Sequence, residues 1–311
     1  MGREFPRWVC RAGIGRPLGE LDRKGVPLPP VPQGEAPPSD ERTGHRIRVR
    51  YRKSGRMRFA SHRDIARVLE RAVRRAGVPV AYSAGFSPHP KISYAGAAPT
   101  GVASEAEYFE MVLAEPAGVE QVQVGLGAAL PEGLDVAEAV QAGTGGLADR
   151  LEASEWRVEL PGVAPEDAER AAAAFLAADG VEVERLTKKG RRRFDARGAV
   201  VRLEPARRTG ATGREATYAI LRMVIRHTTP AVRPDDVMTG LRQAAGLAPP
   251  SSPVMTRLAQ GPLDEESGVV ADPLGADRKA DPPGRAEWTP RPSPPAEGAH
   301  APPSTGDAGE R

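Results

Sequence analysis

Cysteine is all but missing from this sequence. The single one, Cys10, excludes an intrachain disulfide, a Cys-rich metal site and an iron–sulfur cluster held by the chain alone, since each needs several thiolates. No apolar run is long enough for a membrane-spanning helix, and the stretch after Met1 has no signal-peptide core. The expected location is the cytoplasm, with no membrane partner. There is no Ser-His-Asp order, phosphate-binding glycine loop or dinucleotide fingerprint. No cofactor or metal is expected. Aromatic residues are only 5% of the chain, so the places where they gather are informative.

Ile, Leu, Val and Phe are scarce at both ends. Residues 1–44 and 261–311 are rich in Pro, Gly and charge. Such segments bury too little apolar area to offset an ordering entropy of roughly 1–2 kcal/mol per residue. Both are expected to be disordered, which leaves 45–260 as the folded part. Net charge is only +3, but it is unevenly placed. From His45 to Lys91 the acids are Asp64 and Glu70, against many arginines. A second basic block runs from Arg185 to Arg208. Segregation of this kind points to an anionic partner more directly than the total does.

"HRIRVRYRK" alternates strictly, with Ile47, Val49 and Tyr51 on one side and Arg46, Arg48, Arg50 and Arg52 on the other. That is a half-buried strand. In "SHRDIARVLERAVRRAG", Ile65, Val68, Leu69, Ala72, Val73 and Ala76 recur at helical spacing. Ser61 and Asp64 make a weak capping box, and Gly77 and Pro79 end the helix. Further strands and a helix give β-α-β-β-α-β through residue 142. The order recurs more loosely over 154–260, with 143–153 as linker. The expectation is an α+β protein of tandem ferredoxin-like units, 45–142 and 154–260, each a four-stranded antiparallel sheet with helices on one face. The arginines, with Tyr108, then occupy an open face, and Tyr218, Arg222 and Arg226 its counterpart in the second unit.

Four features are candidates for function. Ser61, His62 and Arg63 open a helix, where free N–H groups favour phosphate; Arg58 lies just before. "YSAGFSPHPKISYA" is stiffened by Pro88 and Pro90 around His89, with Phe86 to stack on a base and Lys91 to meet a phosphate. His62 and His89, if brought together, would form a general acid–base pair acting on RNA without a metal. Arg46, Arg48, Arg50 and Arg52 repel one another and call for a counter-anion. Lys188, Lys189, Arg191 and Arg192 sit on an expected basic hairpin turn. Basic and aromatic side chains on an open sheet suit single-stranded RNA.

The motifs "RFASHRD" and "GFSPHPKISYA", with "MTRLAQGPLDE" further on, resemble a bacterial family of unknown function, the radical-SAM-linked (radical-SAM-associated) proteins, a domain of unknown function. The resemblance covers about 45–265. It implies a genetic or physical partner, a radical-SAM protein with a B12-binding domain, often in the context of a ribonuclease E/G gene. It implies no catalytic residue. Lacking the cysteine motif, this chain would be the standalone partner and not the radical enzyme. A looser similarity, in layout and in the Gly-rich aromatic loop, is to tandem ferredoxin-like CRISPR RNA-processing proteins. The expected function is an RNA-binding accessory protein of a radical-SAM-linked RNA modification or processing system, more in keeping with a non-catalytic role. The alternatives are an RNA-processing or RNA-modifying enzyme using His62 and His89, and a protein adaptor that docks on the radical-SAM partner without nucleic acid.

Overall fold

The computed structural model describes residues 45–187, 190–206 and 218–279. The first half runs β1 (Arg46–Lys53), α1 (His62–Arg75), β2 (Ile92–Ala95), β3 (Ala103–Val112), α2 (Val119–Ala129) and β4 (Leu134–Gln141). The second runs β5 (Ala153–Leu160), α3 (Pro165–Ala177), β6 (Glu182–Thr187), β7 (Gly190–Asp195), β8 (Val200–Pro205), β9 (Ala219–Arg226), α4 (Pro234–Ala245) and β10 (Val254–Gly261). β11 (Leu263–Asp264), β12 (Val269–Val270) and α5 (Gly275–Arg278) follow. The fold is mixed α+β around one large mixed sheet of order β4-β1-β3-β10-β5-β9-β8, with β2 also on β3. Among the described residues the only parallel pairing in it is the join of β3 to β10. β6 and β7 form a separate hairpin.

The alternation of β1 does what its pattern requires. Ile47, Val49 and Tyr51 are buried with Ile65, Leu69 and Val73 of α1 and Val122 and Leu126 of α2. The second half has its own core, in which Trp156, Val158 and Leu160 of β5 meet Phe175 of α3 and Leu241 of α4. Gly240 lets these helices close up: a Cβ there would lie 2.6 Å from the Phe175 ring.

Two expectations need correction. The arginine face of the first half is not open. Tyr108 is buried in an apolar patch with Ala95, Ala106, Val140, Leu147, Leu151 and Leu274. Leu147 and Leu151 come from the expected linker and Leu274 from the expected tail, so these segments cover the sheet. The folded part also extends past 260. Asp277 is 3% exposed and accepts bonds from Arg48 Nη1 (2.8 and 2.9 Å), the Gly143 N–H (2.9 Å) and Arg150 (2.8 and 3.2 Å). One carboxylate thereby ties β1, the linker and the C-terminal segment together. Residues 1–44 and 280–311 lie outside the described residues.

Candidate nucleic-acid interface

The loop "YSAGFSPHPKISYA" is a narrow hairpin. Tyr82 bridges Pro90, and the Lys91 N–H donates to the Ala81 carbonyl at 2.7 Å. The Ser83 N–H donates to the His89 carbonyl at 2.8 Å, and the His89 N–H to Ser83 Oγ at 3.0 Å. The turn at 84–88 takes Gly85 to φ +125°, which L side chains rarely adopt. The excess length of the loop is therefore a projection, and Phe86 at its tip is 111% exposed. His89 and Lys91, on the returning arm, are also exposed.

The start of α1 sits beside the strand that leaves this hairpin. The His62 ring meets the Tyr94 ring edge-on, centroids 5.2 Å apart, and the Tyr94 hydroxyl donates to the Ala66 carbonyl at 3.4 Å. Ser61 caps the helix: its Oγ accepts from the Asp64 N–H at 3.3 Å and donates to Asp64 Oδ2 at 2.7 Å. That hydroxyl bond, with Arg67 and Arg63 nearby, holds the Asp64 carboxyl below its usual range. Arg63 is exposed, and the Arg58 guanidinium lies 4.7 Å from the Phe59 ring. The ring contact of His62 is with Tyr94, while His89 is held through its backbone by Ser83; the two histidines are not joined by a contact of this kind.

Sequence reasoning missed two exposed aromatics. Phe59 is 61% exposed and Tyr82 44%. With Phe86 they are the exposed aromatics among the described residues, and all three fall between positions 59 and 86. The signal was present: "RMRFASHR" interleaves an aromatic with arginines, the pattern of a base-stacking surface beside phosphate contacts.

Of the arginine stripe on β1 only Arg48 is buried; Arg46 and Arg50 are half-buried and Arg52 is exposed. Arg48 is 0% exposed, with Nε 2.7 Å from Glu110 and its other nitrogens on Asp277 and the Gly145 carbonyl. As a phosphate contact Arg48 is corrected. Arg46 bonds Glu110 at 3.3 Å, Arg50 the Glu105 carbonyl at 3.1 Å, and Arg52 pairs with Glu105 at 3.4 Å. The antiparallel register sets Glu110 opposite Arg48, so β3 supplies counter-anions for the stripe in Glu110 and Glu105, and Asp277 of α5 supplies another. On the β6–β7 hairpin Arg191 and Arg192 are exposed, and Arg191 pairs with Glu184 at 2.9 Å. Lys188 and Lys189 lie outside the described residues. Among the described residues no group of His, Cys, Asp and Glu is arranged to hold a metal ion, and no helix is long and apolar enough to cross a membrane.

No curated protein matches the sequence. Among solved structures, one chain of a Cbf5-Nop10-Gar1 complex is similar over 69% of this chain and 48% of its own, at 11% identity and TM-score 0.38. This chain thus spans about half the length of that relative. An unknown protein from Galdieria sulphuraria is similar over 69% of this chain and 99% of its own, at 15% identity and TM-score 0.21. The stretch that carries the aromatic hairpin, the capped helix and the paired arginine strand has a family counterpart: residues 46–234 match the model of a family described as "Uncharacterized protein conserved in bacteria (DUF2344)", and the chain belongs to that family.

Proposed function

We propose that this protein binds RNA through the corner made by the hairpin tip and the start of α1, and that it does so in the cytoplasm as an accessory to a radical-SAM-linked RNA modification or processing system. The observation that carries the reading is Phe86, fully exposed at the tip of a braced hairpin. A Phe side chain left in water forgoes roughly 1.5–3 kcal/mol of burial. A rigid arm that presents one offers a stacking platform for a base, worth about 1–3 kcal/mol. Phe59 and Tyr82 add two further rings, and Arg56, Arg63 and Lys91 are exposed cations along the same stretch. The link to a radical-SAM/B12 protein and the ribonuclease E/G context rest on the motifs "RFASHRD" and "GFSPHPKISYA".

We also read the halves as ferredoxin-like units fused edge to edge. The strand orders β4-β1-β3-β2 and β10-β5-β9-β8 become the same order when each half is counted from its own first strand, with the β6–β7 hairpin as an insertion. Ultraviolet crosslinking of the full-length protein in cells, followed by peptide and RNA sequencing, tests the RNA reading. Crosslinked peptides are expected to map to residues 59–91. Recovery of no RNA above an uncrosslinked control, or crosslinks confined to other segments, would overturn it.

A further inference from the structure

A second site lies at the junction of β3 with β10. The loop after β2 is pinned there by a buried ionic network. Lys53 Nζ donates to the Ala98 and Pro99 carbonyls at 3.2 and 3.3 Å. Glu107 accepts the Ala98 N–H at 3.1 Å and pairs with Arg257. Arg257 also donates to Ser104 Oγ and to Gln260 Oε1, each at 3.2 Å. Removing such ions from water costs several kcal/mol apiece, and here they hold one loop in place.

Between that loop and the start of α4 is a pocket of ≈ 370 Å³, within the range of small-molecule sites. Pro99, Ser154, Trp156, His227, Arg233 and Arg257 are among its lining residues. Ser154 Oγ is 2.7 Å from His227 Nε2, and His227 Nδ1 is 2.7 Å from the Leu151 carbonyl oxygen. A carbonyl oxygen only accepts, so Nδ1 carries the proton. In the neutral ring Nε2 then offers its lone pair to the Ser154 hydroxyl. Part of His227 is exposed, yet both ring nitrogens face protein. Their burial disfavours the charged ring, and the Arg257 charge on β10 acts the same way. Together these outweigh the Leu151 bond and hold the His227 pKa below its ordinary value. A nucleophile, a base and a group that orients the base are thus each within hydrogen-bond reach of the next.

We propose that Ser154 is an activated nucleophile and that the pocket takes a small carboxylic ester. Ser154 Oγ forms a bond to the acyl carbon as its proton passes to His227 Nε2. The C–O bond to the alcohol breaks, and that oxygen takes the proton from Nε2. Water then attacks the acyl-serine, with the same proton shuttle, and releases the carboxylic acid and free Ser154. Trp156, Ile225 and Val232 make apolar walls for the acyl group, with Arg233 and Arg257 adding positive charge. The site is independent of the RNA reading, and either can fail alone.

The test is to treat the full-length protein with a fluorophosphonate and locate the adduct by peptide mass spectrometry. An adduct on Ser154 is expected, absent in Ser154→Ala and formed at least tenfold more slowly in His227→Gln. The wild-type rate should rise with pH to a plateau, with its midpoint below 6.5. Folded wild-type protein with an unmodified Ser154 would overturn the proposal, with no variant needed. So would a rate that His227→Gln, shown folded by circular dichroism, leaves unchanged.

Discussion

Asp277→Ala is expected to lower folding stability by about 3–5 kcal/mol, the usual effect of removing one partner of a buried ion pair. The reason is Arg48. Its guanidinium is fully buried, and without Asp277 it keeps only Glu110 and the Gly145 carbonyl. The variant strands a positive charge inside the protein. Arg278→Ala, which removes a partly exposed partner of Glu138 and Asp272, is the contrast, with an expected change of about 1 kcal/mol or less. Urea unfolding followed by circular dichroism measures both. Ending the chain after Gly261 should be worse still, because it also removes Leu274 from the patch around Tyr108.

The pH dependence follows from the same site. Burial pushes the Asp277 carboxyl up, but the bonds from Arg150, Arg48 and Gly143 together outweigh it and hold the pKa below the ordinary 3.8. A depressed carboxyl contributes stability that is fully present above its unfolded pKa and is lost as pH falls through the folded one. The wild type should therefore lose this contribution only below about pH 4, whereas Asp277→Ala lacks it throughout. Equal stability of the two proteins at pH 7 would contradict the account of Arg48.

The second large effect is on binding. Phe86→Ala should weaken RNA binding by about 1–3 kcal/mol, roughly 5- to 150-fold, as the loss of one stacked base does. Stability should change by no more than about 0.5 kcal/mol, because the ring is fully exposed and packs on nothing that its removal would open. Phe86→Trp should restore binding. Fluorescence anisotropy with labelled cellular RNA gives the affinities, and thermal melting gives the stability. Unchanged affinity in Phe86→Ala would remove the hairpin tip from the interface.

Local pattern was enough for the first half. The alternation of "RIRVRYRK" gave β1 and its buried face, the apolar spacing gave α1, and Ser61 with Asp64 gave its cap. The aromatic loop stood out because it was too long for a simple connection, and its length proved to be a projecting hairpin. What was hidden depended on distant partners. Arg48 and Asp277 are 229 residues apart, and the segment around Asp277 is so polar that composition alone reads it as disordered. Its ordering rests on two insertions, Leu274 into an apolar patch and Asp277 between two arginines. Alternation identified an arginine face, but whether that face meets solvent or a covering segment is decided by topology. Ser154 on β5 and His227 just past the end of β9, 73 residues apart, form no local motif. Phe59 and Tyr82 were legible as aromatics but not as exposed ones, since exposure depends on what packs over them.

The most direct test of the central claim is the salt dependence of RNA binding by the wild-type protein. Phosphate contacts from Arg56, Arg63 and Lys91 require log K to fall linearly with log salt, with a slope near −2 for single-stranded RNA. That slope, reduced by about 0.7 when Lys91 or Arg63 is replaced by Ala, is the predicted result. A flat response, or no binding at low salt, would contradict it.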